Sequence, residues 1–201
     1  MSDMSLNENL SSTPQDRREL MDLVERMQGA FTTIAKSKIP TIALAHGFCI
    51  GGATSLVSAC DIRLATKDAK FSIGETKLGL VADVGVIQRM PKIVSSGDMN
   101  ELALTGRIFD GEHAEKIRFV SKVYENSDDL FEAGEKLANE ISSNSKRIVQ
   151  ATKEALEKSS NLTVDQGLEY AKLWSTSFLI SEDLREGVMA FLEKRDPKFN
   201  E

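Results

Sequence analysis

The 201-residue chain is 41% apolar and carries a formal charge of −6, its 31 acidic residues outnumbering 25 basic ones. That length suits one domain able to bury most of its unfolded surface. The negative balance excludes a sequence-blind nucleic-acid binder, which needs a basic face for the phosphates, and the absence of any apolar run of about 18 residues excludes a membrane-spanning helix.

The polar, acidic start MSDMSLNENLSSTPQD reads as neither a secretory signal nor an Arg-rich transit peptide. Residues 1–12 read as unstructured. Thr13 then offers a helix N-cap, with Pro14 at the first helical position and Asp16 three residues after the cap. Leu20, Leu23, Val24, Met27, Phe31 and Ile34 recur at helical spacing, predicting an amphipathic helix over 14–36 whose stripe faces the core. Pro40 stops it.

The most informative stretch follows. Residues 41–45 (TIALA) suit a buried strand, and His46-Gly47-Phe48-Cys49-Ile50-Gly51-Gly52 form a glycine-bearing turn. Small residues 53–59 suit a helix packed directly on that strand. The first turn of such a helix has unpaired N–H groups and a partial positive charge, so it can hold an anion or a developing oxyanion. Glycines let a ligand approach the backbone closely. The alternative reading of Gly51-Gly52 is that they only permit tight strand–helix packing.

Residues 61–66 (DIRLAT) and 70–73 (KFSI) read as two strands, with Asp61 and Arg63 expected to form a partly buried, structural ion pair. Residues 84–94 suggest a short helix bent at Pro91. Asp98 is the expected cap of a helix over 99–105, Asp110-Gly111-Glu112 opens another, and residues 119–124 (FVSKVY) suggest a last strand. From Asn126 the pattern is helical: Ser127 as a cap, a helix through 147–158, one from Thr163 to 180, and a last one capped by Ser181. These divide the chain into an α/β core over 1–125 and a helical section over 126–201, together one structural unit.

Cys49 and Cys60 lie in apolar surroundings without metal-ligand or redox spacing, so they read as buried, inert thiols. His46 and His113 are isolated, and no metal site is expected. Two carboxylates stand in an apolar context, Glu75 in GETKLGL and Asp83 in GLVADVG. Burial among apolar side chains suits a carboxylate to accept and return protons near neutral pH. The plainer reading makes each a solvated surface acid, with Glu75 paired to Lys77.

The succession HGFCIGG, SACDIR, GETKLGL and QRMP resembles the crotonase (enoyl-CoA hydratase/isomerase) superfamily. Within it, GLVADVG followed by QRMP is most similar to the dienoyl-CoA isomerases; hydratases usually have glycine at the Asp83 position. The closing EGVMAFLEKRDPKF also resembles the crotonase C-terminus, so the likeness runs from about residue 17 onward.

The resemblance implies a crotonase-like (ClpP/crotonase) ββα spiral core with a C-terminal helical section. It also implies an acyl-CoA thioester substrate, coenzyme A entering only as part of it, with no separate cofactor. The backbone N–H of Gly52, beside Gly51, would hold the thioester oxygen, while Glu75 handles the proton near the carbonyl and Asp83 the distal one. Lys36, Lys38, Arg89 and Lys92 are possible phosphate partners. Assembly as a homotrimer or hexamer is implied, in mitochondria or cytoplasm, because the final Phe199-Asn200-Glu201 is not a peroxisomal signal.

Three departures stand out. Ser55 occupies the place of a third acid found in dienoyl isomerases, and Arg118 the place of a common glycine. The sequence also reads as truncated at the N-terminus, missing the stretch that supplies the first strands, a second oxyanion N–H and much of the coenzyme A cradle. Two further functional readings follow: 2-enoyl hydration or single-bond isomerisation, and an inactive subunit that associates with full-length relatives.

Overall fold

The computed structural model describes residues 13–199. Residues 1–12 and positions 200 and 201, on which the readings of an unstructured start and of the C-terminal signal fall, lie outside the described residues.

Helix α1 (Pro14–Ala35) begins as expected, with a capping box in which Thr13 and Asp16 satisfy each other's backbone N–H groups. Its apolar stripe differs from expectation. Leu20 and Leu23 are exposed and no residue of α1 is buried, because the helix rests on α2 (Gly52–Ala59) by one edge only.

Two three-stranded sheets form the centre. Strands β1 (Ile42–Ala45), β3 (Ile62–Thr66) and β6 (Lys122–Tyr124) make one, all parallel, in the order β1-β3-β6. Strands β2 (Phe48–Ile50), β4 (Lys70–Ser72) and β5 (Phe109–Asp110) make the other, in the order β2-β4-β5. The chain changes sheet twice by the same device. A two-residue step, His46-Gly47, leads from β1 to β2, with Gly47 at φ +62°; the turn 67–69 leads from β3 to β4. Each strand pair is parallel to its counterpart, and α2 is the crossover between them. Strand β2, inside the glycine turn, and the two-residue β5 were not expected; three-residue strands carry too little periodicity to register in a sequence.

Phe71, Phe109 and Phe119 meet at 5.5–6.3 Å between ring centres, and with Ile73, Met90 and Leu102 they fill the core. The expected bent helix is α3 (Val86–Arg89) running into a 3-10 turn, Met90–Lys92. Helix α4 (Ser96–Thr105) starts three residues early: Ser95 is its cap and Asp98 donates its backbone N–H to the Ser95 hydroxyl. Helix α5 (Gly111–Lys116) is capped by Asp110 as read. The last strand is shorter than predicted, because Phe119 and Val120 donate their N–H groups to Ala114 and close α5 instead.

Four helices follow: α6 (Ser127–Ser142), α7 (Lys146–Ser159), α8 (Val164–Phe178) and α9 (Glu182–Glu193). Asn126, not Ser127, caps α6, while Thr163 and Ser181 cap α8 and α9 as expected. Helix α6 packs across β1, β3 and β6, and α7 packs on α8.

The expected Asp61–Arg63 pair does not form. Arg63 donates to the carbonyls of Cys60, Phe119 and, at 3.4 Å, Asp61, and burial lowers its pKa. Asp61 accepts from Thr41 and from Lys153 of α7 at 2.6 Å. In a strand, residues two apart share a face, yet a lysine 92 residues away reaches the carboxylate better.

Candidate active site

The parallel β2–β4 pair builds the site. Ile50 lies opposite Ser72, so both chains leave the sheet side by side at the same end. Gly51 N–H donates to Ser72 O at 2.9 Å, and the Thr54 hydroxyl donates to the carbonyls of Cys49 and Ser72, locking the start of α2 to both strands. That double clamp is an unforeseen contribution; its sequence signal is one threonine in a helix of small residues.

Beyond Ser72 the chain enters a 3-10 turn, Gly74–Leu78, that carries Glu75 back over the glycine turn. Gly51 sits at φ +57°, and a Cβ there would meet Glu75 Oε1 at 3.3 Å. Glycine suits this position for its positive φ, and the missing Cβ also leaves room for the close approach of the carboxylate. Gly52 is the first residue of α2, so its N–H has no acceptor within the helix. Glu75 is half-buried and its Oε2 is enclosed without a hydrogen-bond partner among the described residues. It does not pair with Lys77 there. The carboxylate and the open helix N-terminus thus meet at Gly51.

Asp83 comes from the same loop, between Gly79 (φ +73°) and Gly85 (φ +116°). It is exposed, which corrects the expectation of an apolar enclosure. Its neighbours Ala82 and Val84 are buried, so Asp83, between them, points outward. Gln28 of α1 donates to its backbone carbonyl at 2.6 Å and holds the loop from outside. Leu78, Leu80 and Val81 of this loop are also exposed.

Ser55 lies one turn along α2 from Gly51, whose carbonyl accepts its N–H at 3.0 Å. It is fully buried and its Oγ has no partner among the described residues. The possible phosphate partners separate. Arg89 is drawn inward, donating to Val84 O and to Thr32 of α1, and Lys92 pairs with Asn161, whereas Lys36 and Lys38 are exposed. Cys49 is buried, and burial pushes its thiol up, as it does for Cys60. His46 meets the ring of Phe131 edge-on, and His113 that of Phe109. Among the described residues no group of three or more His, Cys, Asp and Glu is placed to hold a metal ion, and no helix is long and apolar enough to cross a membrane.

The family model described as enoyl-CoA hydratase/isomerase matches residues 8–201. The chain is 47% identical over 188 residues to the Dictyostelium discoideum protein named mitochondrial Delta(3,5)-Delta(2,4)-dienoyl-CoA isomerase, covering 94% of this chain and 64% of that protein. It is 42% identical to the peroxisomal protein of the same name from Arabidopsis thaliana, covering 94% of this chain and 69% of that one. Among solved structures, a putative enoyl-CoA hydratase/isomerase family protein from Hyphomonas neptunium superposes with a TM-score of 0.85 at 32% identity, covering all of this chain and 74% of that one. The chain therefore spans about two thirds of the length of the relatives it resembles, and it belongs to the enoyl-CoA hydratase/isomerase family.

Proposed function

We propose that the chain serves the isomerisation of an unsaturated fatty-acyl-CoA, moving a 3,5-diene into 2,4-conjugation with the thioester. The observation that carries this reading is the Glu75 carboxylate set over Gly51, beside the open N–H of Gly52. The names of the similar proteins supply the substrate class.

In this reading the acyl thioester oxygen sits at Gly52 N–H. Glu75 removes a proton from C2, and the electron pair spreads through both double bonds and the carbonyl as a dienolate. Negative charge grows on the thioester oxygen, where a preorganised N–H contributes a few kcal/mol. Asp83 passes a proton, taken up from solvent on its exposed side, to C6. The product is the 2,4-diene, with Glu75 protonated and Asp83 ionised; solvent exchange resets both, and the exposure of Asp83 favours that step. Coenzyme A enters as part of the substrate, and the name of the Dictyostelium protein supports a mitochondrial location while that of the Arabidopsis protein is peroxisomal.

Asp83 separates this reaction from hydration, which places water where its carboxylate stands. The purified chain is expected to bind a dienoyl-CoA in calorimetry and to change its diene absorbance. Asp83→Asn and Glu75→Gln should each lower kcat by about 100-fold or more. Binding without turnover would instead identify an inactive subunit, and hydration of a 2-enoyl-CoA unaffected by Asp83→Asn would overturn the isomerase reading.

A further inference from the structure

Four buried side-chain atoms lack a hydrogen-bond partner among the described residues: Ser55 Oγ, Thr66 Oγ1, Glu75 Oε2 and Arg107 Nε. An enclosed polar atom left unpaired is costly, so each calls for an explanation. Thr66 ends β3 against Gly111, and the Arg107 guanidinium reaches toward Glu101 and His113. The other two flank one residue: Ser55 donates its backbone N–H to the Gly51 carbonyl, and Glu75 Oε1 lies 3.3 Å from the Cβ position of the same Gly51.

Ser55 is an unusual choice at that place. The other two hydroxyls buried in α2 bond to backbone: Thr54 to Cys49 and Ser72, Ser58 to the carbonyl of Ser55. Among the described residues the Ser55 hydroxyl finds no partner, although a helical serine commonly turns to the carbonyl four residues back. A carboxylate accepts only, whereas a hydroxyl has one proton to give. Around Gly51 the orphaned acceptor and the orphaned donor are complementary.

We propose that Ser55 is a positioning residue for Glu75, its hydroxyl donating to the carboxylate through one bridging water. The bond holds Glu75 over Gly51 and keeps its second oxygen from turning onto the Gly52 N–H, leaving that donor for the substrate. This rests on the reading of Glu75 as the proton carrier, but the contact itself is testable without turnover.

The test is a double-mutant cycle in urea unfolding at neutral pH with Ser55→Ala, Glu75→Ala and the pair. If the hydroxyl serves Glu75, Ser55→Ala shifts the unfolding midpoint in the parent chain and leaves it unmoved once Glu75 is alanine. Equal shifts in both backgrounds overturn the proposal, whatever the activity. On a dienoyl-CoA, Ser55→Ala is expected to lower kcat about tenfold with KM little changed, because the ground-state contacts remain. Coupling in the cycle without any turnover would count against the isomerase reading while leaving the Ser55–Glu75 contact in place.

Discussion

At Arg118 the backbone turns to φ +64°, in the left-handed region that favours glycine, and the residue closes α5 by donating its N–H to Glu115 O. The glycine that the resemblance implies at this place would have a conformational reason, which the arginine violates. Arg118→Gly is expected to stabilise the chain by about 1 kcal/mol, the relief of left-handed strain exceeding the entropy glycine loses; urea unfolding measures it. A second residue-scale effect sits at the C-terminus. Arg195 and the backbone N–H of Lys198 both donate to Glu186, holding its carboxyl down at about 2. Because the folded value lies below the ordinary 4.5, the pair's contribution is present above that value and is lost as pH falls from about 4.5 toward 2. Glu186→Gln should therefore flatten the dependence of the melting temperature on pH in that window and leave its neutral-to-alkaline part unaltered.

Among the elements, the loop bearing Asp83 owes its path to its glycines and to Arg89. A Cβ on Gly85 would lie 1.8 Å from Arg89 Nη1, at a φ of +116° that side chains avoid. Gly85→Ala is expected to cost about 1–3 kcal/mol and to displace the Arg89 side chain from Thr32 and Val84. With the loop displaced, turnover should fall more than substrate binding does. Helix α7 is tied to the sheet by Lys153, whose side chain is 11% exposed and whose ammonium bonds Asp61 and the Ile39 carbonyl. Lys153→Met keeps the apolar stem and leaves Asp61 to Thr41 and solvent; a loss of about 1 kcal/mol in chemical unfolding is expected. The caps explain why the helices beyond residue 126 were legible: Thr163 and Ser181 announce themselves chemically. At α4 and α6, residues of similar capping chemistry competed, three positions apart at Ser95 and Asp98 and adjacent at Asn126 and Ser127, and the choice of Ser95 and Asn126 follows from which side chain reaches the third N–H.

Across the molecule, large apolar side chains remain uncovered on α8, α9 and the turn between them: Ile180 is 99% exposed, Phe191 83% and Leu192 68%. Exposure on this scale is what a contact surface would cover, and the trimer or hexamer implied by the resemblance would bury it. Light scattering should return the mass of three or six chains, and Ile180→Asp with Phe191→Asp should reduce it to one. A cavity of about 700 Å³ beside this face is lined by Ile148, Phe178, Leu184 and Val188, not by Glu75 or Asp83. By itself the sequence determined the family and the order of most elements, because motifs, capping oxygens, φ > 0 glycines and apolar periodicity are set by local chemistry. Only the tertiary structure decided that Asp61 bonds Lys153 rather than Arg63, that Asp83 is exposed while Glu75 lies over Gly51, and that Ser55 is enclosed without a partner among the described residues. Each depends on which distant strand or helix arrives alongside, and spacing along the chain carries no record of that.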